Sequence, residues 1–82
     1  MIKMKKYNII GINVTDRLKH VESIQKVLTN YGHDISTRLG LHNNKDDSPN
    51  GLILIEVETK SFKPISEELK KIEGIQLKSM RF

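Results

Sequence analysis

The side chains able to do chemistry are few and scattered along the chain. Three histidines, His20, His33 and His42, invite a metal ion. They form no H-x-H or H-x-x-x-H pair, and no His/carboxylate cluster occurs at ligand spacing, so the expectation is no metal and no cofactor. His42 is the best placed of the three, because Asp46 and Asp47 follow it closely. Ser23, Ser36, Ser48, Ser61, Ser66 and Ser79 have no accompanying His/Asp arrangement, and no nucleophile elbow is present. Neither a G-x-G-x-x-G turn nor a P-loop occurs. The absence of cysteine excludes disulfides, thiolate zinc sites, Cys-ligated iron–sulfur clusters and Cys nucleophiles. The expectation is a binding protein, not an enzyme.

Charge suggests where binding could occur. The chain has 82 residues, 14 Lys+Arg, 10 Asp+Glu and a net charge of +4. Residues 1–41 hold 7 basic and 3 acidic side chains; residues 42–82 hold 7 of each. Lys3, Lys5 and Lys6 lie in a basic tail, residues 1–6, which could assist an interaction with nucleic acid. The segment Asn13-Val14-Thr15-Asp16-Arg17 leads into a helix whose first amides could take an anion, although Asp16 also reads as an ordinary cap. Arg38 could receive an anionic ligand or pair with Glu56 on a neighbouring strand.

These residues need elements to position them. Tyr7 to Val14 alternates as a strand. Thr15 or Asp16 then caps a helix whose apolar stripe is Leu18, Val21, Ile24, Val27, Leu28 and Tyr31, and Gly32 ends it. Ile35 to His42 alternates again. Asn43 to Gly51 is dense in turn formers and reads as the connection of a hairpin. Leu52 to Glu58 is a third strand. A second helix is expected from Phe62 or Pro64 to Ile72, with Ser61 as cap, Pro64 in the first turn and Gly74 as terminator. Ile75 to Phe82 completes the set.

The order β-α-β-β-α-β, in one domain spanning residues 1–82, predicts an α+β, ferredoxin-like sandwich. Its four-stranded antiparallel sheet has the order 4-1-3-2, with both helices on one face. The other face must then meet solvent, ligand or another subunit. By apolarity, Ile10, Ile12, Val14, Ile35, Leu39, Leu41, Ile53, Ile55 and Val57 are expected under the helices. Ile9, Gly11, Asn13, Ser36, Arg38, Gly40, His42, Leu52, Leu54 and Glu56 are expected on the open face.

Three aliphatics there, Ile9, Leu52 and Leu54, favour a homodimer or higher oligomer, since a chain of this size forms little core alone. Gly11 and Gly40 could let a ligand or a backbone approach closely. The candidate ligand- or partner-binding set is Asn13, Asp16, Arg17, Arg38, Gly40 and His42. Base stacking is not expected, because the central-strand positions carry no aromatic residues. No apolar run approaches the ~20 residues that span a bilayer, and no signal sequence follows the basic start, so a cytoplasmic protein is expected.

Three segments carry a family resemblance: Val14-x-Asp16-Arg17, Asp34-Ile35-x-x-Arg38-x-Gly40 and Gly74-Ile75-x-Leu77-Lys78. With them, nearly the whole chain resembles the small regulators of the iron-only hydrogenase system. It also resembles ACT-type regulatory domains, which bind small effectors at dimer interfaces, although Thr15-Asp16-Arg17 stands where that family has Asp-x-Pro-Gly. Ile35-Ser36-Thr37 followed by Leu39 to His42 is similar to the metal-binding strand of nickel-responsive repressors. Of that site's histidine pair only His42 has a counterpart, and its cysteine has none. Residues 1–6 are too few for the ribbon–helix–helix of those repressors. The resemblance implies a stand-alone regulatory module that oligomerises and binds a small effector or a partner protein. The alternatives are a metal- or anion-handling assembly factor using His42, Asp46 and Asp47, and a transcription regulator touching DNA through Lys3, Lys5 and Lys6.

Overall fold

The structure, a computed structural model, describes residues 7–15, 17–41 and 51–82, with the backbone alone at 17 and 18. The chain runs β1 (Asn8–Val14), α1 (Arg17–Asn30), a 3-10 turn (Gly32–Asp34), β2 (Ile35–Leu41), β3 (Gly51–Val57), α2 (Thr59–Lys70) and β4 (Ile75–Arg81). The strands form one antiparallel sheet in the order β2-β3-β1-β4, the expected ferredoxin-like arrangement.

Alternation along β1 decides the core. Asn8, Ile10, Ile12 and Val14 face the helices and are buried, whereas Ile9, Gly11 and Asn13 point away. Ile55 and Val57 on β3 join them, and α1 contributes Ile24, Val27 and Leu28. On α2, Ser61, Ile65 and Leu69 recur every four residues and form the buried line. Val21 has the spacing of the α1 stripe, yet it is 42% exposed and lies outside the core.

Three local expectations are corrected. Gly32 does not end α1 with a positive φ; α1 stops at Asn30, and the chain tightens into the 3-10 turn, where the Asp34 amide donates to the Tyr31 carbonyl. Second, α2 begins at Thr59, so Ser61 is inside the helix and buried, and Pro64 occupies its sixth position. There the ring removes a helical N–H, a loss tolerated because the inward stripe of α2 stays packed. Gly74 does carry the left-handed turn into β4, with φ +81°. A second constraint fixes glycine there. The imidazole of His20, on α1, lies where a Cβ would stand. The Thr15 amide and hydroxyl both donate to the Gly74 carbonyl, at 3.1 and 2.7 Å, so Thr15 pins this turn.

The third correction concerns β2. Ile35 pairs with Val57, but Thr37 pairs with Glu56, so Ser36 is an extra residue in a β-bulge. Beyond it the facing of β2 is opposite to that expected. Arg38 and Gly40 lie opposite Ile55 and Ile53, on the helix side, while Leu39 and Leu41 lie opposite Leu54 and Leu52, on the open side. No described helix covers the outer end of this strand: Ser36 to Leu41 are exposed throughout.

Candidate functional site

The open face of the sheet can be read in three rows across β2, β3, β1 and β4. The rows are Thr37, Glu56, Ile9, Met80; then Leu39, Leu54, Gly11, Lys78; then Leu41, Leu52, Asn13, Gln76. Six large aliphatics form a diagonal band from Met80 through Ile9 and Leu54 to Leu39, Leu52 and Leu41. The sequence suggested three. The other three arise from the bulge at Ser36, which turns Leu39 and Leu41 outward, and from β4, which supplies Met80. Leu39 is 50% exposed and Met80 57%, Leu41 and Leu52 are exposed as well, and Ile9 and Leu54 are half-buried. A contiguous apolar patch of this kind on a small domain marks an interaction surface.

Polar groups occupy the two remaining corners. At one, the Thr37 hydroxyl donates to Glu56 Oε1 at 3.3 Å. Thr37, not Arg38, is therefore the cross-strand partner of Glu56; the expected Arg38–Glu56 pair is excluded because the two side chains lie on opposite faces. At the other corner Asn13 Nδ2 donates to Gln76 Oε1 at 3.4 Å, with Lys78 beside them.

Between the corners the face is hollowed. A depression of about 590 Å³ lies over Gly11, walled by Ile9, Leu54, Lys78 and Met80. A Cβ at Gly11 would meet Leu54 Cδ2 at 3.4 Å, an ordinary contact. The glycine is therefore not forced by crowding; its missing side chain makes the floor of the hollow. Gly40 has open space around its Cα but faces the other way.

Of the expected site residues, those that are described do not share one face. Asn13 stands on the open face. Arg38 and Gly40 stand on the opposite face of β2. Asp16, His42, Asp46, Asp47 and the tail lysines Lys3, Lys5 and Lys6 lie outside the described residues, as does the side chain of Arg17. Among the described residues, no three His, Asp or Glu side chains gather closely enough for a metal ion. No described helix is long and apolar enough to cross a membrane. The ring of Tyr7 packs edge-on against Phe82 at 6.5 Å. No aromatic residue stands on the three rows of the open face.

One cluster went unnoticed in the sequence. Asn8 is 3% exposed at a core-facing position of β1. Its Nδ2 donates to the Val57 carbonyl at 3.2 Å and to Thr59 Oγ1 at 2.9 Å, which leaves Oδ1 to accept from Arg81 Nε at 3.0 Å. The Arg81 guanidinium carbon lies 4.6 Å over the centre of the Phe62 ring. The available signal was a polar residue in phase with Ile10, Ile12 and Val14.

Solved structures share this architecture. TM1266 from Thermotoga maritima superposes with a TM-score of 0.76 at 23% identity, covering 95% of this chain and 99% of its own. CPII from Thiomonas intermedia K12, a nitrogen regulatory PII-like protein, in its apo form gives 0.66 at 15% identity over 98% and 95%. The same protein bound to ADP, AMP and bicarbonate gives 0.63 at 14% over 98% and 93%. These similarities establish a common fold. No curated protein matches the chain. A family model matches residues 6–79, and by that match the chain belongs to the TM1266-like family, described as "Iron-only hydrogenase system regulator, putative".

Proposed function

We propose that this chain is a stand-alone regulatory module of an iron-only hydrogenase system, working in the cytoplasm by binding and not by turnover. Two or more copies associate through the open sheet face, and a small effector or a partner protein shifts that association. The observation that carries this reading is the six-membered aliphatic band with a hollow over Gly11 at its centre. Its polar corner, Asn13 with Gln76 and Lys78, supplies the groups that orient a bound molecule. Asp16 and Arg17 follow Asn13 in the sequence and complete the proposed set. Arg38 and Gly40 would act from the helix-side face of β2, and His42 follows β2 in the sequence. Family membership supports the regulatory role, and the PII-like relative bound to ADP and AMP supports a small-ligand one. An effector would act only through different affinities for the two assembly states.

Native mass spectrometry of protein taken gently from its host tests this directly. The expected result is a dimer or higher oligomer, with Leu39→Asp reducing it to monomers that keep their circular dichroism spectrum. Gly11→Leu, which fills the hollow, is expected to remove any retained small molecule. A wild-type protein that is monomeric at tens of micromolar and carries nothing sinks the proposal.

A further inference from the structure

On the other side of the molecule, away from the open face, a groove of about 470 Å³ runs between α2 and β4. Ser66 and Ser79 keep it open, because neither side chain is large enough to close the gap between helix and strand. Its floor is apolar, formed by Ile10 and Leu77. Its walls are basic: Lys63 and Lys70 on α2 and Arg81 on β4, against a single carboxylate, Glu67. Among the described residues neither Lys63 nor Lys70 has an ion-pair partner.

Arg81 is the group that distinguishes this groove from a merely basic surface. Its guanidinium is held from two sides. Asn8 Oδ1 accepts from Nε, and the Phe62 ring lies beneath the plane. Asn8 is itself buried, and both its donations are made to Val57 and Thr59, so its oxygen is fixed toward Arg81. A guanidinium held at Nε and on one face still presents the two Nη groups as a fork, the geometry that matches two oxygens of a phosphate or carboxylate.

From this we infer that the α2–β4 groove is a second ligand site, specific for a soluble phosphomonoester with a small organic body. Arg81 takes two phosphate oxygens, Lys63 adds a positive charge from the helix, and the Ser66 and Ser79 hydroxyls donate along the groove. A phosphomonoester carries up to about two negative charges near neutral pH, which suits a site with several cations and one acid. The apolar floor accommodates the organic part. This site stands independently of the open face and of what that face binds.

The test is an amide NMR titration with glycerol 3-phosphate and with inorganic phosphate, against sodium chloride at equal ionic strength. Shifts confined to residues 62–70 and 77–81, with glycerol 3-phosphate the tighter ligand, are expected. Arg81→Gln should weaken binding at least tenfold and Lys63→Gln about threefold. Arg81→Lys, which keeps the charge and loses the fork, should fall between wild type and Arg81→Gln. Lys26→Gln on α1 should change nothing, and the spectra of the free variants report that each is folded. Shifts matched by chloride, shifts indifferent to Arg81, or shifts centred on Ile9, Gly11 and Leu54 would overturn the inference. Sedimentation with phosphatidic acid vesicles separates the two sources of the headgroup. No co-sedimentation is expected, and Arg81-dependent co-sedimentation would refute the soluble ligand.

Discussion

Both faces of the sheet carry large aliphatic side chains, and the two sets meet different fates. On one, Ile10, Ile12, Val14, Ile55 and Val57 are almost completely shielded by α1 and α2. On the other, no described helix lies over Ile9, Leu39, Leu41, Leu52, Leu54 and Met80; Leu39, Leu41, Leu52 and Met80 are exposed, and Ile9 and Leu54 are half-buried. The covered face is continuous with a helix core, and on β1 it is interrupted by one polar side chain, Asn8, whose hydrogen bonds are satisfied. The open face keeps its polar residues at two corners and leaves the aliphatics contiguous. The contrast separates two uses of the same chemistry: one set of side chains holds the domain together, and the other is available to whatever meets it.

That contrast can be broken most forcefully in the core. Ile12→Ala, at a fully buried position, is expected to cost about 2–5 kcal/mol, lost transfer energy plus a cavity. Leu39→Ala on the open face is expected to change the stability of the isolated chain by under about 0.5 kcal/mol. Urea denaturation of both variants at low protein concentration measures the difference. Equal costs would mean that the open face is part of the folding core.

A smaller effect is expected at the rim of the covered face, where α1 closes over the turn into β4. Gly74→Ala forces a side chain into left-handed backbone, at a cost of about 1–3 kcal/mol. It also meets the His20 ring. The loss should therefore be smaller in a His20→Ala background, and a double-mutant cycle on thermal melts reads that coupling.

The smallest effect tests the register itself. Thr37 and Glu56 should show a coupling of about 0.2–1 kcal/mol in a cycle of Thr37→Val and Glu56→Gln. Arg38 and Glu56 should show none, since they stand on opposite faces. A measurable Arg38–Glu56 coupling of the same size would place β2 in the unbulged register.

These outcomes bear on how far the sequence could be read. The sandwich was legible because β1 and β3 each carry an apolar residue at every second position, Ile10, Ile12, Val14 and Ile53, Ile55, Val57, and the helices repeat at 3.6 residues. The phase of β2 was not legible. Ile35, Thr37, Leu39 and Leu41 alternate perfectly along the chain, yet Ile35 lies on one face and the others on the opposite one. A two-residue period records no extra residue at Ser36. The start of α2 was hidden for another reason. Pro64 usually marks a first turn, and the polar run Thr59-Lys60-Ser61 looks like loop until Ser61 is seen in line with Ile65 and Leu69. The Asn8–Arg81 contact spans nearly the whole chain, and no local pattern announces it.

The bulge at Ser36 has a consequence of another kind. β2 is an outer strand, and the outward backbone groups of such a strand invite a further strand to add on. An extra residue breaks their even spacing, so an incoming straight strand can match only a short stretch on either side. At the opposite margin β4 bears Lys78 and Arg81, charges that disfavour the same kind of addition. With both margins made poor templates, growth by endless strand addition is discouraged. Copies that join across their broad faces instead use the same surface reciprocally, and such a union closes on itself at a fixed number.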